Sequence, residues 1–332
     1  MTGIEQCWYR IGFIHLILLP ASWLFGALAA WRRALYHCHM LKSYPLTVPV
    51  IVIGNITVGG TGKTPLTLAL AQQLIDHGRH PLIISRGYGG DGCQQQVSAD
   101  HTASQTGDEP LLMAKRNLCP VWVGRDRVAT ARQALRAHPE CDIVLCDDGL
   151  QHYRLQRDVE IIVIDGKRWF GNGHLLPAGP LREPLWRLNR ADALVINGSE
   201  RLTDFNNQYT MTLRGEIFQN LKHPEKHIHC NELQGMRLHA VAGIGHPQRY
   251  FDHLKSLGLT VIPHAFPDHH PYQAADLAFD DCDALLLTEK DAVKCAAFAD
   301  NRVWILRVDA RIDSALTDHI LRKITRHGCK TA

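Results

Sequence analysis

Short apolar runs alternate with amphipathic stretches along the first two thirds of this chain. Residues 50–53 form a β-branched run typical of a buried parallel strand, and residues 66–75 have the pattern of a helix. Further runs predict strands at 81–85, 120–123, 142–146, 159–164 and 193–196, with a helix at 126–137. Strands that alternate with helices predict a doubly wound, mostly parallel α/β sheet.

The pattern changes near residue 206. Residues 209–213 and 216–218 predict two short strands about a turn at Gly215. A second α/β pattern follows, with a helix predicted at 248–257 and strands at 284–287 and 302–308. We therefore expect four parts, which are an apolar helix at 1–34, a larger α/β domain at 35–205, a short β linker at 206–236 and a smaller α/β domain at 237–332.

An apolar segment without formal charge, residues 11–30, precedes the first strand. Roughly 20 helical residues span about 30 Å, the thickness of a bilayer core. Arg10 flanks one end, and Arg32 and Arg33 flank the other. The segment can be a cleaved signal peptide, a core helix interrupted by Pro20, or a membrane-associating helix, which we favour. Whether such a helix spans the bilayer or lies in one leaflet stays open.

The composition is that of a globular protein. The chain has 332 residues, of which 45% are hydrophobic and 21% charged, and its formal net charge is +3. This small charge gives no support to nucleic-acid binding, for which a concentrated basic face is expected. The ten cysteines form no C-x-x-C pair and the 20 histidines no four-ligand zinc pattern. We expect reduced cysteines in a cytosolic catalytic body.

The loop after the first strand has the residues of a phosphate-binding loop. Its glycines let backbone N–H groups turn inward around an anion. Lys63 can reach the β- and γ-phosphates of a nucleotide, and the Thr64 hydroxyl can ligate Mg²⁺. The general pattern G-x-x-x-x-G-K-[ST] has glycine where this chain has Thr57. Against a purely structural turn, we predict nucleotide contacts from Thr57, Val58, Gly59, Gly60, Thr61, Gly62, Lys63 and Thr64.

Asp147 and Asp148 close the fourth predicted strand, where P-loop proteins place the acidic residue that holds Mg²⁺. An Asp-Gly turn that merely ends the strand is the alternative, and the pattern does not say which aspartate is nearer the metal. Ligands bind beyond the carboxyl ends of parallel strands. The segments after the first, second, fourth and fifth strands should therefore converge on one cleft.

Asp108 and His269 are candidates for proton transfer. Asp108 precedes Pro110, so it can cap a helix or serve as a carboxylate base. His269 follows a strand of the second domain and is adjacent to His270. A histidine there can assist proton transfer or bind phosphate, or it can simply belong to a capped loop.

Four further charged residues are substrate-binding candidates. Arg86 and Arg125 follow the second and third strands and can clamp a phosphate, although a single arginine is commonly a surface charge. Arg182 and Glu183 lie in a proline-rich segment that suits a pre-set polar contact or a structural loop. Residues 288–291 read Thr-Glu-Lys-Asp, a poor match to the N-K-x-D guanine motif, which counts against GTP specificity.

Taken in order, these motifs resemble one family, the tetraacyldisaccharide 4′-kinases, or lipid A 4′-kinases, of Gram-negative bacteria. The resemblance extends over nearly the whole chain, and Thr57 in place of the first P-loop glycine is normal for the family. It is carried by residues 54–65, 85–89, 107–110, 147–152, 181–184, 266–269 and 288–291.

The resemblance implies ATP-dependent phosphorylation of the 4′-hydroxyl of an acylated glucosamine disaccharide 1-phosphate, giving the bis-phosphorylated lipid A precursor, lipid IVA. ATP and Mg²⁺ are then the cofactors, and the inner membrane, at its cytoplasmic face, is the location. Asp108 and His269 are implied to deprotonate the hydroxyl as a pair, with Lys63 at the phosphates and a cleft that closes between the domains over ATP. We expect no nucleic-acid partner and infer no obligate protein partner.

Two other functions stay open. One is a membrane-associated P-loop ATPase or GTPase that acts as a switch or delivery factor. The other is a cytosolic small-molecule kinase or ligase whose N-terminal helix belongs to the core.

Overall fold

The computed structural model describes residues 8–9, 12–198, 202 and 205–328, with side chains up to residue 325. Residues 1–7 and 10–11 of the predicted N-terminal part, including Arg10, therefore lie outside the described residues. The same holds for residues 199–201 and 203–204 of the predicted larger domain and for 329–332 at the C-terminal end.

Strands and helices alternate along the described chain, as the apolar pattern predicts. The strands are β1 (Val50–Gly54), β2 (Pro81–Ser85), β3 (Gln95–Gln96), β4 (Val121–Val123), β5 (Ile143–Asp147), β6 (Val159–Asp165), β7 (Ala193–Asn197), β8 (Gln208–Arg214), β9 (Ile217–Asn220), β10 (His227–His229), β11 (Leu238–Ala242), β12 (Val261–Ala265), β13 (Ala284–Thr288), β14 (Val303–Leu306) and β15 (Asp309–Ile312). The helices are α1 (Phe13–His37), α2 (Lys63–Asp76), α3 (Ala103–Thr106), α4 (Asp108–Lys115), α5 (Arg127–Ala137), α6 (Pro247–Ser256), α7 (Glu289–Cys295) and α8 (Ser314–Gly328), with short 3₁₀ helices at Leu185–Arg190, Cys230–Leu233 and Ala274–Leu277.

The chain forms two compact units, and each is discontinuous in sequence. The first comprises Met1–Arg86, Asp126–Thr212 and Arg311–Ala332, and the second comprises Gly87–Arg125 and Leu213–Ala310. Segment 87–125 thus belongs with the later part of the chain, whereas the predicted division is contiguous. Local hydrophobic patterns carry no information on such long-range grouping. The four-part division itself stays a prediction.

The first unit is built on a parallel sheet with the strand order β8-β7-β6-β1-β5-β2. Every residue of β1, β5, β6 and β7 is buried, because these apolar strands are covered on both faces. Asp147, Asp165 and Asn197 are the last residues of β5, β6 and β7. The sheet therefore presents polar side chains at its carboxyl edge.

The second unit contains a sheet with the order β10-β9-β14-β13-β11-β12, in which the four strands from β14 to β12 are parallel and β9 and β10 are antiparallel. Successive residues of its central strands alternate between two hydrophobic clusters, because side chains of a strand point to opposite faces. Leu238, Ala240 and Leu286 lie in one cluster, and Val241 and Leu287 lie in the other. β3 and β4, which also belong to this unit, pair with each other in antiparallel orientation.

The two strands predicted about Gly215 join different sheets. β8 pairs in parallel with β7, and β9 pairs antiparallel with β14 and β10. Residues 206–236 therefore supply strands to both sheets. The prediction of a doubly wound, mostly parallel α/β sheet with a second, smaller α/β part is confirmed.

Helix α1 is apolar and mostly exposed. It is the one helix in the described part of the chain that is long and apolar enough to cross a membrane, and 11% of its most apolar window is buried. Its buried residues are polar, with His15 Nδ1 3.0 Å from the Ala178 carbonyl and Ser22 Oγ donating to the Leu175 carbonyl at 2.8 Å. Exposed side chains such as Ile17 (61%) and Leu24 (63%) lie on the outside. A core helix would show the reverse arrangement.

Candidate functional site

The loop between β1 and α2 has the conformation that its glycines predict. Gly59 and Gly62 have φ of 97° and 99°, in the left-handed region that glycine adopts without strain. α2 begins at Lys63, and the Leu66 N–H donates to the Gly62 carbonyl at 3.1 Å. Free backbone N–H groups at a helix N-terminus make an anion site. The Val58 N–H donates to the Pro180 carbonyl at 2.8 Å, so within the predicted cradle of residues 57–64 the local geometry suits phosphate binding by the N–H groups that follow Val58.

Two side chains of the same unit support this loop, Arg168 from the segment after β6 and Asn197 from the end of β7. Arg168 Nη2 donates to the Gly60 carbonyl at 2.6 Å, and its Nε donates to Asp165 at 2.9 Å. Asn197 Nδ2 donates to the Thr61 carbonyl at 2.9 Å. Both hydrogen bonds are accepted by backbone carbonyls of the loop, so neither side chain occupies a backbone N–H group of the loop. The edges of β6 and β7 therefore fix the shape of the loop.

Lys63 lies within a set of oxygen atoms at the same edge. Its Nζ is 3.4 Å from Asn55 Oδ1 and 3.5 Å from Asp148 Oδ1. Asp148 also lies 3.5 Å from Arg182 Nη1. Burial raises the pKa of Asp148, but Lys63, Arg182 and Arg127 outweigh this effect, so its pKa is below the usual range. Asp148 is therefore a carboxylate at neutral pH.

Asp147 is fully buried and accepts a hydrogen bond from Thr67 Oγ1 at 3.2 Å, while the Asp148 side chain is 36% exposed. Arg127 is buried beneath them and donates to the carbonyls of Asp147 at 3.3 Å and Asp148 at 2.8 Å. Both predicted carboxylates thus lie at the end of β5. The segments after β1, β5 and β6 meet at this edge.

The oxygen donors at this edge fit Mg²⁺. Within the described ranges, no group of three or more His, Cys, Asp or Glu side chains is arranged to hold a metal ion. Nucleotide enzymes commonly hold Mg²⁺ by one or two carboxylates together with phosphate oxygens and water. The hydroxyl of Thr64 and the carboxylates of Asp147 and Asp148 are hard oxygen ligands of that kind.

Asp108 and His269, 161 positions apart, lie together in the second unit. His269 Nδ1 is 3.0 Å from Asp108 Oδ2. Asp108 is the first residue of α4, and the capping position is Gly107, whose φ is 88°. Asp108 is buried, which raises its pKa, but the hydrogen bond from His269 and the charges of Lys294 and Lys290 outweigh burial and lower the pKa overall. Asp108 is thus an ionised carboxylate beside an imidazole.

The two neighbouring histidines have different partners. The His269 ring lies 5.1 Å from the Tyr88 ring, centroid to centroid, and its backbone φ is 61°, a left-handed conformation. His270 Nε2 is instead 3.1 Å from Asp276 Oδ2. The geometry therefore pairs Asp108 with His269 and leaves His270 in a local loop contact.

The substrate-binding candidates have diverse surroundings. Arg86 is exposed at the end of β2. Arg125, in the second unit, is exposed and packs over Gly92, where an added Cβ would lie 2.6 Å from Arg125 Nε. Arg182 lies at Asp148, as given above, and its N–H donates to the Ile56 carbonyl at 2.6 Å.

Glu183 is buried in a hydrogen-bond network of the first unit. It accepts from Gln151 Nε2 at 3.0 Å and Tyr153 Oη at 2.9 Å, and Arg187 Nε lies 3.2 Å away. Burial lowers the pKa of Arg187, but its hydrogen bond and ion pair with Glu160, together with Glu183, raise it overall. Glu183 thus has the contacts of a structural anchor next to Arg182.

Four residues that contact the site were not among the predicted ones: Asn55, Arg168, Asn197 and Lys294. Asn55 and Asn197 stand at the carboxyl ends of strands, so the rule that ligands gather there could have flagged them. Lys294 is four residues after Lys290, on the same helical face. Arg168 gives no such signal, because its contact with Gly60 depends on how β6 and β1 pair.

Comparison with known proteins gives one consistent result. A family model described as Tetraacyldisaccharide-1-P 4′-kinase matches residues 14–325. The chain is 50% identical to the tetraacyldisaccharide 4′-kinase of Methylobacillus flagellatus over 324 residues, which cover 97% of this chain and 96% of that protein. It is 49% identical to that of Azoarcus sp. over 334 residues, covering 99% and 97%.

A solved structure is also similar to this chain. It is LpxK from Aquifex aeolicus in complex with ATP, with a TM-score of 0.80 and 30% sequence identity. The match covers 94% of this chain and 100% of that chain. The likeness thus extends over both units.

Proposed function

The chain belongs to the tetraacyldisaccharide 4′-kinase family and is a kinase. We propose that it transfers the γ-phosphoryl group of ATP to the 4′-hydroxyl of an acylated glucosamine disaccharide 1-phosphate. The product is the bis-phosphorylated lipid A precursor. The observation that carries the assignment of roles is the contact between Asp108 and His269 at 3.0 Å. An alcohol acceptor needs a base, whereas a nucleotide switch does not.

On the donor side, the backbone N–H groups of residues 59–64 and the Lys63 ammonium bind the β- and γ-phosphates, while the Val58 N–H donates to the Pro180 carbonyl at 2.8 Å. Phosphoryl transfer depends on positioning and charge neutralisation more than on covalent chemistry by the protein. Thr64, Asp147 and Asp148 would hold Mg²⁺, which supplies positive charge to the phosphates when bound. Arg168 and Asn197 keep the loop carbonyls turned away from those phosphates.

On the acceptor side, Asp108 accepts the proton of the 4′-hydroxyl as its oxygen bonds to the γ-phosphorus, and ADP leaves. Because the pKa of Asp108 is low, it is a weak base. The proton therefore moves late, as the forming O–P bond makes the hydroxyl acidic. His269 orients the carboxylate through Nδ1.

The roles of Arg86, Arg125, Arg182 and Glu183 follow from their surroundings. Arg86 and Arg125 are exposed guanidinium groups that can bind the anionic substrate. Arg182 balances Asp148 at the donor side, and Glu183 anchors the segment that carries it.

We assign the enzyme to the cytoplasmic face of the bacterial inner membrane. The support is α1, which turns its polar His15 and Ser22 inward and its apolar residues outward. An outward apolar face is stabilised by lipid. The acylated substrate lies in the same lipid phase, so the helix keeps enzyme and acceptor together.

The test is a direct assay. Purified protein is incubated with ATP, Mg²⁺ and the tetraacyldisaccharide 1-phosphate in detergent, and the lipids are analysed by mass spectrometry. We expect a lipid heavier by one phosphate, and Lys63→Met should reduce its formation by about 10²–10³-fold. Absence of transfer by the wild-type protein would refute the proposed reaction.

A further inference from the structure

The Thr-Glu-Lys-Asp segment that fits no guanine motif places two lysines at the Asp108–His269 pair. Helix α7 starts one residue after Thr288, whose side chain accepts from the Asp291 N–H, and α7 packs against α4. Lys290 and Lys294 lie one turn apart on α7, with side chains that are 16% and 8% exposed. Two ammonium groups this close and this buried must be held by anions.

Lys294 is directed at the carboxylate of Asp108. Its Nζ lies 3.7 Å from Asp108 Oδ2 and 2.8 Å from Asp291 Oδ1, and it stands 4.9 Å from the centre of the Tyr272 ring. Asp291 is fully buried and accepts from the Gly243 N–H at 2.9 Å. The buried Asp291 carboxylate therefore holds the Lys294 ammonium in place, and its positive charge lies close enough to Asp108 to stabilise the ionised carboxylate.

Lys290 is directed at the other side of the imidazole. Its Nζ is 3.5 Å from His269 Nε2, 3.0 Å from Asp268 Oδ1 and 3.4 Å from Glu109 Oε1. Burial lowers the pKa of Lys290, but Glu109 and Asp268 outweigh it and raise the pKa overall. An ammonium only donates hydrogen bonds. Asp268 Oδ2 also lies 3.7 Å from His269 Nε2, but the Lys290 ammonium is nearer, at 3.5 Å, and favours a lone pair on Nε2. The ionised Asp108 carboxylate accepts from Nδ1 at 3.0 Å, so the ring proton lies on Nδ1.

We propose that Lys294 and Lys290 are positioning residues of the phosphoryl transfer: Lys294 holds Asp108 as a carboxylate, and Lys290 holds His269 in the Nδ1–H tautomer. The inference rests on the proposed function, because it assigns Asp108 and His269 to the acceptor base. The other titratable groups around the pair are Tyr88, Glu109, Asp268 and Asp291.

Lys294 is tested through the pH dependence of kcat/KM for Lys294→Met. The base must be ionised to work, and an opposite charge within about 4–6 Å lowers a carboxyl pKa by about 1–3 units. Removing the Lys294 charge raises the pKa of Asp108. As the pH is lowered, the variant should therefore lose activity earlier, at a higher pH than the wild type. We expect the acid limb to move up by about one pH unit, with ATP affinity unchanged.

The controls separate this role from a structural one. Lys294→Arg keeps the charge and should restore the wild-type limb, and Lys255→Met removes the charge of an exposed lysine of α6 and should leave the profile unchanged. A Lys294→Met enzyme that is slower at every pH but has the wild-type limb would show a purely structural role and would overturn the inference for Lys294.

Lys290 is tested without turnover, so the result does not depend on the proposed reaction. The ¹⁵N shifts of histidine-labelled protein report the tautomer, and the His269 signals are those absent from His269→Gln. We expect Nδ1–H for His269 in the wild type and a mixture of tautomers in Lys290→Met. A wild-type Nε2–H tautomer would overturn the inference for Lys290. If the wild type shows Nδ1–H but transfers no phosphate, the proposed function fails and the tautomer assignment stands.

Discussion

The P-loop and the Asp108–His269 pair are built in different ways. The P-loop is a contiguous segment between β1 and α2, and its shape is held through its own carbonyls by Arg168 and Asn197. The Asp108–His269 pair joins positions 161 apart and is held by ion pairs to α7. The geometry of the P-loop thus depends on backbone conformation, whereas that of the Asp108–His269 pair depends on charged side chains. Substitutions should therefore damage them in different ways.

The largest expected effect is on catalysis at the pair. Asp108→Asn keeps the shape of the side chain but removes the base, so turnover should fall by about 10²–10⁴-fold. Because Asp108 lies outside the P-loop, the affinity for ATP should stay within a factor of two or so. Product formation and ATP titration on the same sample measure both. Near-normal turnover would remove Asp108 from the role of base.

The next effect distinguishes two adjacent histidines. His269→Gln should lower kcat by at least about tenfold, less than the loss of the base itself, because the carboxylate loses its orienting partner. His270→Gln is the matched control, since His270 contacts Asp276 and should change kcat less than about twofold. Equal losses in the two variants would contradict the assignment of His269.

A backbone substitution tests the P-loop. An added Cβ at Gly62 would lie 2.6 Å from Asn197 Nδ2 and 2.8 Å from Met211 Cε, and φ there is 99°. Gly62→Ala should therefore destabilise the fold by about 1–3 kcal/mol and weaken ATP binding. At Gly60 an added Cβ meets no atom within 4 Å, so Gly60→Ala is the matched control. Denaturant unfolding checks both, and equal stabilities would refute the argument.

The smallest effect on stability is expected at α1. Ile17→Ser with Leu24→Ser changes two exposed side chains, so the free energy of unfolding should change by less than about 0.5 kcal/mol per site. The fraction that sediments with membranes after a salt wash should nevertheless fall. Ile262→Ser changes an exposed apolar residue of the second unit and serves as the control. Unchanged sedimentation of the double variant would count against membrane attachment through α1.

Much of the first unit could be predicted because its determinants are local. The strand at Pro81–Ser85 has the predicted bounds, and α5 begins after Asp126, whose carboxylate accepts from the Val128 N–H at 3.1 Å. The glycine pattern likewise predicted the turn before α2. In each case the information lies within a few adjacent residues.

What the sequence could not supply depends on tertiary contacts. Lys294 reaches Asp108 only because α7 packs on α4, and Arg168 reaches Gly60 only because β6 pairs with β1. The grouping of residues 87–125 with the later part of the chain is of the same kind. The pairing of Asp108 with His269 was anticipated only through the family resemblance, since neither residue's local pattern points to the other.

The most direct test of the account is the stoichiometry of a single turnover. Wild-type protein with bound ATP and Mg²⁺ is mixed with excess tetraacyldisaccharide 1-phosphate, and ADP and bis-phosphorylated lipid are quantified together, with ³¹P NMR to locate the new phosphate. We expect one bis-phosphorylated lipid per ADP, with the new phosphate at the 4′ position. With Asp108→Asn, both ADP and the lipid product should form more slowly than with the wild-type protein. ADP formed at the same rate without the lipid would contradict the account and would indicate an ATPase.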